Sequence, residues 1–202
     1  MQGKRLTGQR KGIILVLLLI LTTFTLYSCG GGGGSSEGSS SSTSTSKASL
    51  YITDDMSDSY QQVLVTIYKV EFEKASDKSR VPAFEDTQGV TYDLTELRGV
   101  IERLGSLPQG SYSKVYLTVG EGLILVDSSG NELNPTFDDS NAWTTCSASK
   151  CVIEVPGAAN VTKNHHVILD FDLKQFKYDA ATNKVQAKIV LDADGSGYNG
   201  YF

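Results

Sequence analysis

Apolar and polar residues alternate along most of the chain after residue 48. In SLYITD, Leu50 and Ile52 fall on one face of an extended segment, and Tyr51 and Thr53 fall on the other. The same period of two residues recurs in later segments, and it is typical of strands with one buried face. The pattern therefore predicts an all-β domain.

The segment QQVLVTIYKVEFEK changes the parity of its apolar face. Apolar residues occupy the odd positions from 63 to 67, but then the even positions Val70 and Phe72. One extra residue in a strand restores the inward direction after such a change. The sequence therefore predicts a β-bulge near Tyr68 or Lys69.

Further segments complete a predicted sandwich of about seven to nine strands. SYSKVYLTVG and GLILVDSSGNELNP resemble adjacent strands, with a Ser-Ser-Gly-Asn turn at the tip of the second. HHVILDFDLKQFKYDAATNKVQAKIVLDAD predicts a long hairpin that turns at 180–183. Short strands with frequent turns favour a β-sandwich. Its inward residues are predicted to be Val167, Leu169, Phe171, Leu173, Val185, Ala187, Ile189 and Leu191.

One segment, DLTELRGVIERLG, has apolar residues at helical spacing. Asp93 and Glu96 suit a capping box, and Gly105 is placed to end a helix. We expect a single short helix near 95–104, packed over one end of the sandwich. The residues that carry this spacing are Leu97, Val100, Ile101 and Leu104.

The amino terminus has the anatomy of a secretory signal. A basic head of four residues between Lys4 and Lys11 precedes the apolar block GIILVLLLILTTFTL. The block is shorter than the roughly 20 apolar residues of a spanning helix, and three threonines interrupt its end. A signal peptide over residues 1–28 is therefore favoured over a permanent anchor helix.

The tetrad Leu26-Tyr27-Ser28-Cys29 resembles the lipobox of bacterial lipoproteins. The resemblance implies cleavage before Cys29, a lipid on its thiol, and export to the outer membrane, since Gly30 stands where a retention aspartate would be. Residues 29–47 then form a Gly/Ser-rich linker with an end-to-end distance of about 25 Å. The alternative is a disordered tail without an anchor.

Charge restricts the possible partners of the mature chain. Removal of residues 1–28 leaves 14 basic against 23 acidic residues, a net charge of −9. Nucleic acid is excluded as an expected partner because phosphate binding needs a basic face. No basic amphipathic segment is visible for anionic lipid. We expect contact with the membrane through the lipid on Cys29, and an envelope protein or a glycan as partner on either face of the outer membrane.

Cys146 and Cys151 bracket SASK in the mature domain, which spans residues 48–202. In an oxidising compartment such a pair predicts a structural disulfide that closes a small ring. The loop-entropy model gives such a ring about 2 kcal/mol of stabilisation. We expect it to fix the tip of a hairpin.

Two sets of residues are candidate metal ligands. Asp192, Asp194 and Ser196 match the first positions of a calcium loop. The glutamate that closes such a loop is missing. A Gly-rich tail is therefore the preferred interpretation, and a Ca²⁺ site is the alternative. A second set shares the face of one strand. Side chains on one face of a strand are about 6.8 Å apart, which is too wide for this set to hold one metal ion. A solvated face is therefore the preferred interpretation. This set is His166, Asp170 and Asp172.

No motif for catalysis is visible. GxSxG, HExxH and phosphate-binding glycine loops are absent from the sequence, so we predict a protein that is not an enzyme. A paired-carboxylate glycosidase stays open because the separation of carboxyl groups is not visible in a sequence.

Aromatic residues suggest a carbohydrate-binding module as an alternative function, because amphipathic rings often form contact surfaces. Ordinary sheet positions account for most strand tyrosines. The candidate platforms are Tyr51, Tyr68, Tyr116, Trp143, Tyr198 and Tyr201.

Five stretches in order, LYITDD, VLVTIYKVEFEK, YDLTEL, LPQGSYSKVYLTV and LDFDL, resemble the bacterial lipoprotein domain known as domain of unknown function 4382. The usual TDAP is TDDM here. The resemblance covers roughly Ala48 to Asp192 and implies a Greek-key β-sandwich similar to transthyretin-like or carboxypeptidase-regulatory domains. It implies no established activity. The leading hypothesis is a lipid-anchored, non-enzymatic envelope protein, with a calcium-stabilised adhesin as a further alternative.

Overall fold

The alternating segments form strands whose apolar faces share one core. The computed structural model describes residues 47–54 and 59–198. The predicted signal peptide, Cys29, the linker up to residue 46 and Tyr201 lie outside these residues. The described residues form fourteen strands, which in chain order are β1 Lys47–Asp54, β2 Tyr60–Lys74, β3 Arg80–Asp93, β4 Glu102–Pro108, β5 Gly110–Gly120, β6 Ile124–Asp127, β7 Glu132–Leu133, β8 Thr136–Phe137, β9 Thr144–Ser147, β10 Lys150–Val161, β11 His166–Phe171, β12 Lys177–Asp179, β13 Lys184–Gln186 and β14 Ile189–Asp192.

The strands form two main sheets and a small third one. The first has the order β14-β11-β1-β4, and β1 runs parallel to β11. The second follows the path β7-β6-β2-β5-β10-β9, and β3 pairs with the other edge of β2. The third joins β12, β13 and β8. The all-β class is confirmed, and the strands outnumber the predicted seven to nine because several contain only two to four residues.

Both main sheets contribute to one hydrophobic core. The fully buried residues of β2 change parity as predicted, and its pairing register shifts between Ile67 and Lys69, which confirms the bulge. Thr53 differs from the prediction. It is fully buried, although alternation placed it on the outer face with Tyr51. Its hydroxyl is satisfied because it donates to the carbonyl of Val100 at 2.7 Å.

The predicted helix near 95–104 is a single 3₁₀ turn at Leu94–Leu97 followed by a strand. Asp93 does cap this turn, because its carboxylate accepts the N–H of Thr95 at 3.1 Å. The rest of the segment enters β4 and pairs antiparallel with β1, which provides partners for main-chain groups that a helix would pair within itself. Gly105 lies inside β4 and does not end a helix. Two other 3₁₀ turns span Leu173–Gln175 and Ser196–Tyr198.

The expected adjacency of β5 and β6 is wrong. Both strands run antiparallel to β2, and they occupy the same edge of it in succession, because β3 takes the other edge. Only three residues separate Gly120 from Ile124. The chain therefore continues in one direction there instead of reversing. The reversal comes at the predicted turn, where Gly130 donates its N–H to the carbonyl of Asp127.

The predicted long hairpin is present but is divided between two sheets. Its outer part pairs β11 with β14, and its tip pairs β12 with β13 around the turn at 180–183. Among the residues that the structure describes, no helix has the length and apolar character needed to cross a membrane.

Candidate functional site

Trp143 is the single tryptophan of the chain, and its side chain is largely exposed, with 53% of its surface open to solvent. The main chain holds it firmly just before β9. The carbonyl of Trp143 accepts the N–H of Glu154 at 2.7 Å, and its N–H donates to the Asn141 side-chain oxygen at 2.9 Å. A rigid backbone therefore presents an indole ring that the core does not use.

The ring borders a groove of about 220 Å³ between the β9–β10 hairpin and the segment from β13 to β14. Its floor is apolar because the buried side chains of Ile153, Val155 and Ile189 reach it from the core. Polar residues surround that floor. The lining comprises Asn141, Trp143, Thr144, Ile153, Glu154, Val155, Pro156, Gln186, Ala187, Lys188 and Ile189.

The polar rim of this Trp143 groove is partly fixed by neighbouring residues. Glu154 forms an ion pair with Lys114 at 2.7 Å. Gln186 Nε2 donates to Asp138 Oδ2 at 2.8 Å, and this bond, with hydrogen bonds from Ser140, lowers the pKa of Asp138 to about 2. The Gln186 amide is thereby oriented before any ligand arrives.

The predicted disulfide is present and lies beside this groove. Cys146 of β9 and Cys151 of β10 face each other in register and are bonded, with Cα atoms 4.0 Å apart. The two-residue turn between the strands has positive φ at both Ala148 (52°) and Ser149 (64°). Such turns normally use Asn and Gly, because other residues resist positive φ. The disulfide therefore stabilises a hairpin whose two turn residues do not favour the backbone conformation that the turn requires.

Replacing Cys146 and Cys151 by alanine should lower the free energy of unfolding by about 2 kcal/mol, because the small covalent ring is lost. This corresponds to a fall in melting temperature of roughly 4–8 °C for a domain of this size. In the cysteine-free background, Ala148→Asn with Ser149→Gly should recover part of the loss. Unchanged melting of the double alanine variant in a calorimetric scan would show that the ring is not stabilising.

Most of the aromatic residues that the sequence suggested as platforms are already covered. The ammonium of Lys150 lies 3.7 Å from the ring centroid of Tyr68. The guanidinium of Arg80 lies 3.5 Å from that of Tyr116. Such cation–π contacts occupy the faces that a ligand would need.

The two remaining tyrosines among the described platform candidates are also engaged. Tyr51 lies against the ring of His166, with centroids 5.6 Å apart, and the Tyr198 hydroxyl donates to Asp170 at 2.7 Å. Of the five platform candidates within the described residues, Trp143 alone borders a groove with its ring exposed.

The calcium-like loop uses its carboxylates on its own backbone. Asp192 accepts N–H groups from Gly195 at 3.0 Å and from Gly197 at 2.9 Å. Asp194 accepts the N–H of Ser196 at 2.9 Å, and hydrogen bonding by Ser196, first from its side chain, lowers the pKa of Asp194. These hydrogen bonds explain the turn that follows β14. Within the described residues, no group of three or more His, Cys, Asp or Glu side chains is placed to hold a metal ion.

The face of His166, Asp170 and Asp172 is less solvated than expected. Asp172 is only 7% exposed, because β11 ends one residue earlier and Asp172 begins a 3₁₀ turn. Its N–H donates to the carbonyl of Lys188 at 3.0 Å, and its carboxylate accepts a short hydrogen bond from Gln175. Asp172 thus ties the end of β11 to the segment that lines the Trp143 groove.

A buried carboxylate at the end of β1 was missed by the sequence reasoning. Asp54 is 2% exposed and accepts the N–H of Leu173 at 3.2 Å. Because β1 and β11 are parallel neighbours, Asp54 of LYITDD comes to lie opposite Phe171 of LDFDL. The only signal in the sequence was that both stretches belong to the resemblance described above.

A family model described as a domain of unknown function (DUF4382) matches residues 45–192. This span covers most of the 202 residues. The chain belongs to this family. No curated protein matches the chain, and no solved structure matches it. The DUF4382 region includes the disulfide, the Trp143 groove and the Asp54–Leu173 contact, whereas Asp194 and Ser196 lie beyond it.

Proposed function

We propose that this chain is a lipid-anchored protein of the cell envelope whose β-sandwich binds a ligand without transforming it. The observation that carries the binding role is the exposed Trp143 ring beside a groove. A large aromatic side chain left open next to an apolar floor is typical of binding surfaces. The disulfide and the main-chain bonds of Trp143 keep this surface in one shape.

Binding is favoured over catalysis by the composition of the groove. Its lining includes one carboxylate, Glu154, and that group is engaged by Lys114. Glycoside hydrolysis generally uses two carboxyl groups, about 5–9.5 Å apart. No second carboxylate and no histidine is among the lining residues. The groove therefore fits a ligand that is held and later released unchanged.

The lipid anchor is supported by the order of features at the amino terminus: a basic head, an apolar block, Cys29 and a Gly/Ser-rich linker. A linker of this composition behaves as a flexible chain, which lets a tethered domain reach past the lipid headgroups. The lipid would then hold the chain at the membrane, and the groove would bind the ligand.

Metabolic labelling with a fatty acid that carries an alkyne should mark the wild-type chain, and Cys29→Ser should abolish the label. Cys146→Ser is the matched control, since it removes another cysteine of the same chain, one that is disulfide-bonded in the folded domain. It should keep the label. Labelling of Cys29→Ser at the wild-type level would refute the anchor, and mass spectrometry of the amino-terminal peptide would show whether Cys29 is the first residue.

A further inference from the structure

We infer that the Trp143 groove binds a carbohydrate chain, with one sugar ring seated against the indole. This inference rests on the proposed binding function and names its ligand class. A pyranose ring has faces of C–H groups and an edge of hydroxyls. The groove has the matching arrangement, with an exposed aromatic ring and an apolar floor inside a polar rim.

The rim offers two acceptors on side chains that neighbouring residues hold, and one exposed donor. Gln186 is held through its Nε2, and among the described residues its Oε1 accepts no hydrogen bond. Lys114 contacts Oε1 of Glu154, and Oε2 accepts no hydrogen bond among the described residues. Lys188 adds an exposed ammonium that no described residue pairs. Because a hydroxyl donates and accepts, a sugar edge can satisfy all three groups.

The size of the groove favours a chain that passes through it. Pockets that enclose a small molecule commonly have volumes of about 300–1,000 Å³. At about 220 Å³, the Trp143 groove is smaller than the pockets that enclose a whole small molecule. One ring of a polysaccharide can be seated there while its neighbours lie outside the groove.

A peptide added as a further strand fits less well. Beyond Glu154, β10 pairs only with β5 among the described strands, so one of its edges is open beside the groove. That edge contains Pro156, which has no N–H, and the register shifts between Pro156 and Ala159. Proline and a bulge are features that block strand addition at an edge. The geometry therefore points to a ligand that does not need a β-ladder.

The single tryptophan makes the test direct, because fluorescence excited at 295 nm reports on this groove alone. The full chain is purified from membranes in a zwitterionic detergent without a sugar headgroup and is titrated with neutral and acidic hexasaccharides. We expect at least one of them to shift the emission to the blue. Calorimetric titration should then show at least a tenfold weaker affinity for Trp143→Ala.

The variant should fold, because the hydrogen bonds of Trp143 are made by its main chain. Val100→Ala is the matched control, since Val100 is equally exposed at 52% but does not line the groove. It should bind as the wild type does, and Gln186→Ala should weaken binding several-fold. Equal affinity of Trp143→Ala and wild type would overturn the inference.

Other occupants give distinct results. An emission shift with phosphatidylglycerol vesicles but with no saccharide would identify a membrane contact. A shift that depends only on protein concentration would identify a second copy of the chain. Either result overturns the carbohydrate assignment. Failure with every saccharide, together with Trp143-dependent cross-linking to an envelope protein, would also overturn it but would support the proposed binding function. A wild-type chain that takes up no fatty-acid label would overturn the anchor alone and would leave the carbohydrate assignment standing.

Discussion

Replacing Phe72 with alanine should lower the free energy of unfolding by about 3–5 kcal/mol. Phe72 is fully buried in β2, and its ring meets the edge of Tyr112 at a centroid distance of 5.5 Å. Strands flank it on both sides, through Val81 of β3 and Val115 of β5. Because these strands hold β2 in register, they cannot close fully around the missing ring. The melting temperature should fall by roughly 6–20 °C.

Phe84→Ala is the control for this substitution. Phe84 lies on β3 in the same sheet, but it is only half-buried. Water already reaches part of its ring, so its loss should cost less than half as much as the loss of Phe72. Urea unfolding of the purified chains measures both changes. Equal losses would contradict the location of the core between the two main sheets.

β2 shows what a sequence pattern can predict. Its inward parity changes between Ile67 and Val70, and the structure has its register shift at that point. The prediction succeeds because side-chain alternation is a local property of an extended chain. The same reason explains why the disulfide hairpin and the turns at 127–131 and 180–183 were predictable from short stretches.

The segment from 94 to 108 shows what the pattern cannot supply. Leu97 and Leu104 are buried, as a helix would also require, but Val100 is 52% exposed. The choice between a helical turn and a strand is made by β1, about fifty residues earlier, whose edge pairs with β4. Apolar spacing over one short window contains no information about such a distant partner.

The groove depends on distant contacts in the same way. The sequence placed Trp143 among six aromatic candidates without separating them. The structure separates them, because Lys150 covers Tyr68 and Arg80 covers Tyr116, and because residues 186–189 come to lie beside Trp143. Each of these contacts joins residues more than thirty positions apart. Residue type alone therefore predicts a class of site, and the fold selects its location.

Gly105→Ala should lower the free energy of unfolding by about 3 kcal/mol, although it adds a single methyl group. A Cβ at this position would lie 2.1 Å from the carbonyl oxygen of Ala83, which belongs to β3 of the other main sheet. Both atoms are attached to paired strands, so relief requires one sheet to move away from the other. The melting temperature should fall by roughly 6–12 °C, measured by calorimetry.

Gly122→Ala is the matched control, because neither glycine has a positive φ and only Gly105 is crowded. The nearest contact for a Cβ at Gly122 is the carbonyl oxygen of Pro135 at 3.9 Å. Alanine there should leave stability unchanged or raise it by up to about 1 kcal/mol, since it restricts the unfolded chain. If both substitutions were equally harmless, the two sheets would not meet backbone to backbone at β4. Gly105 would then be replaceable, and the helical interpretation of this segment would have to be reconsidered.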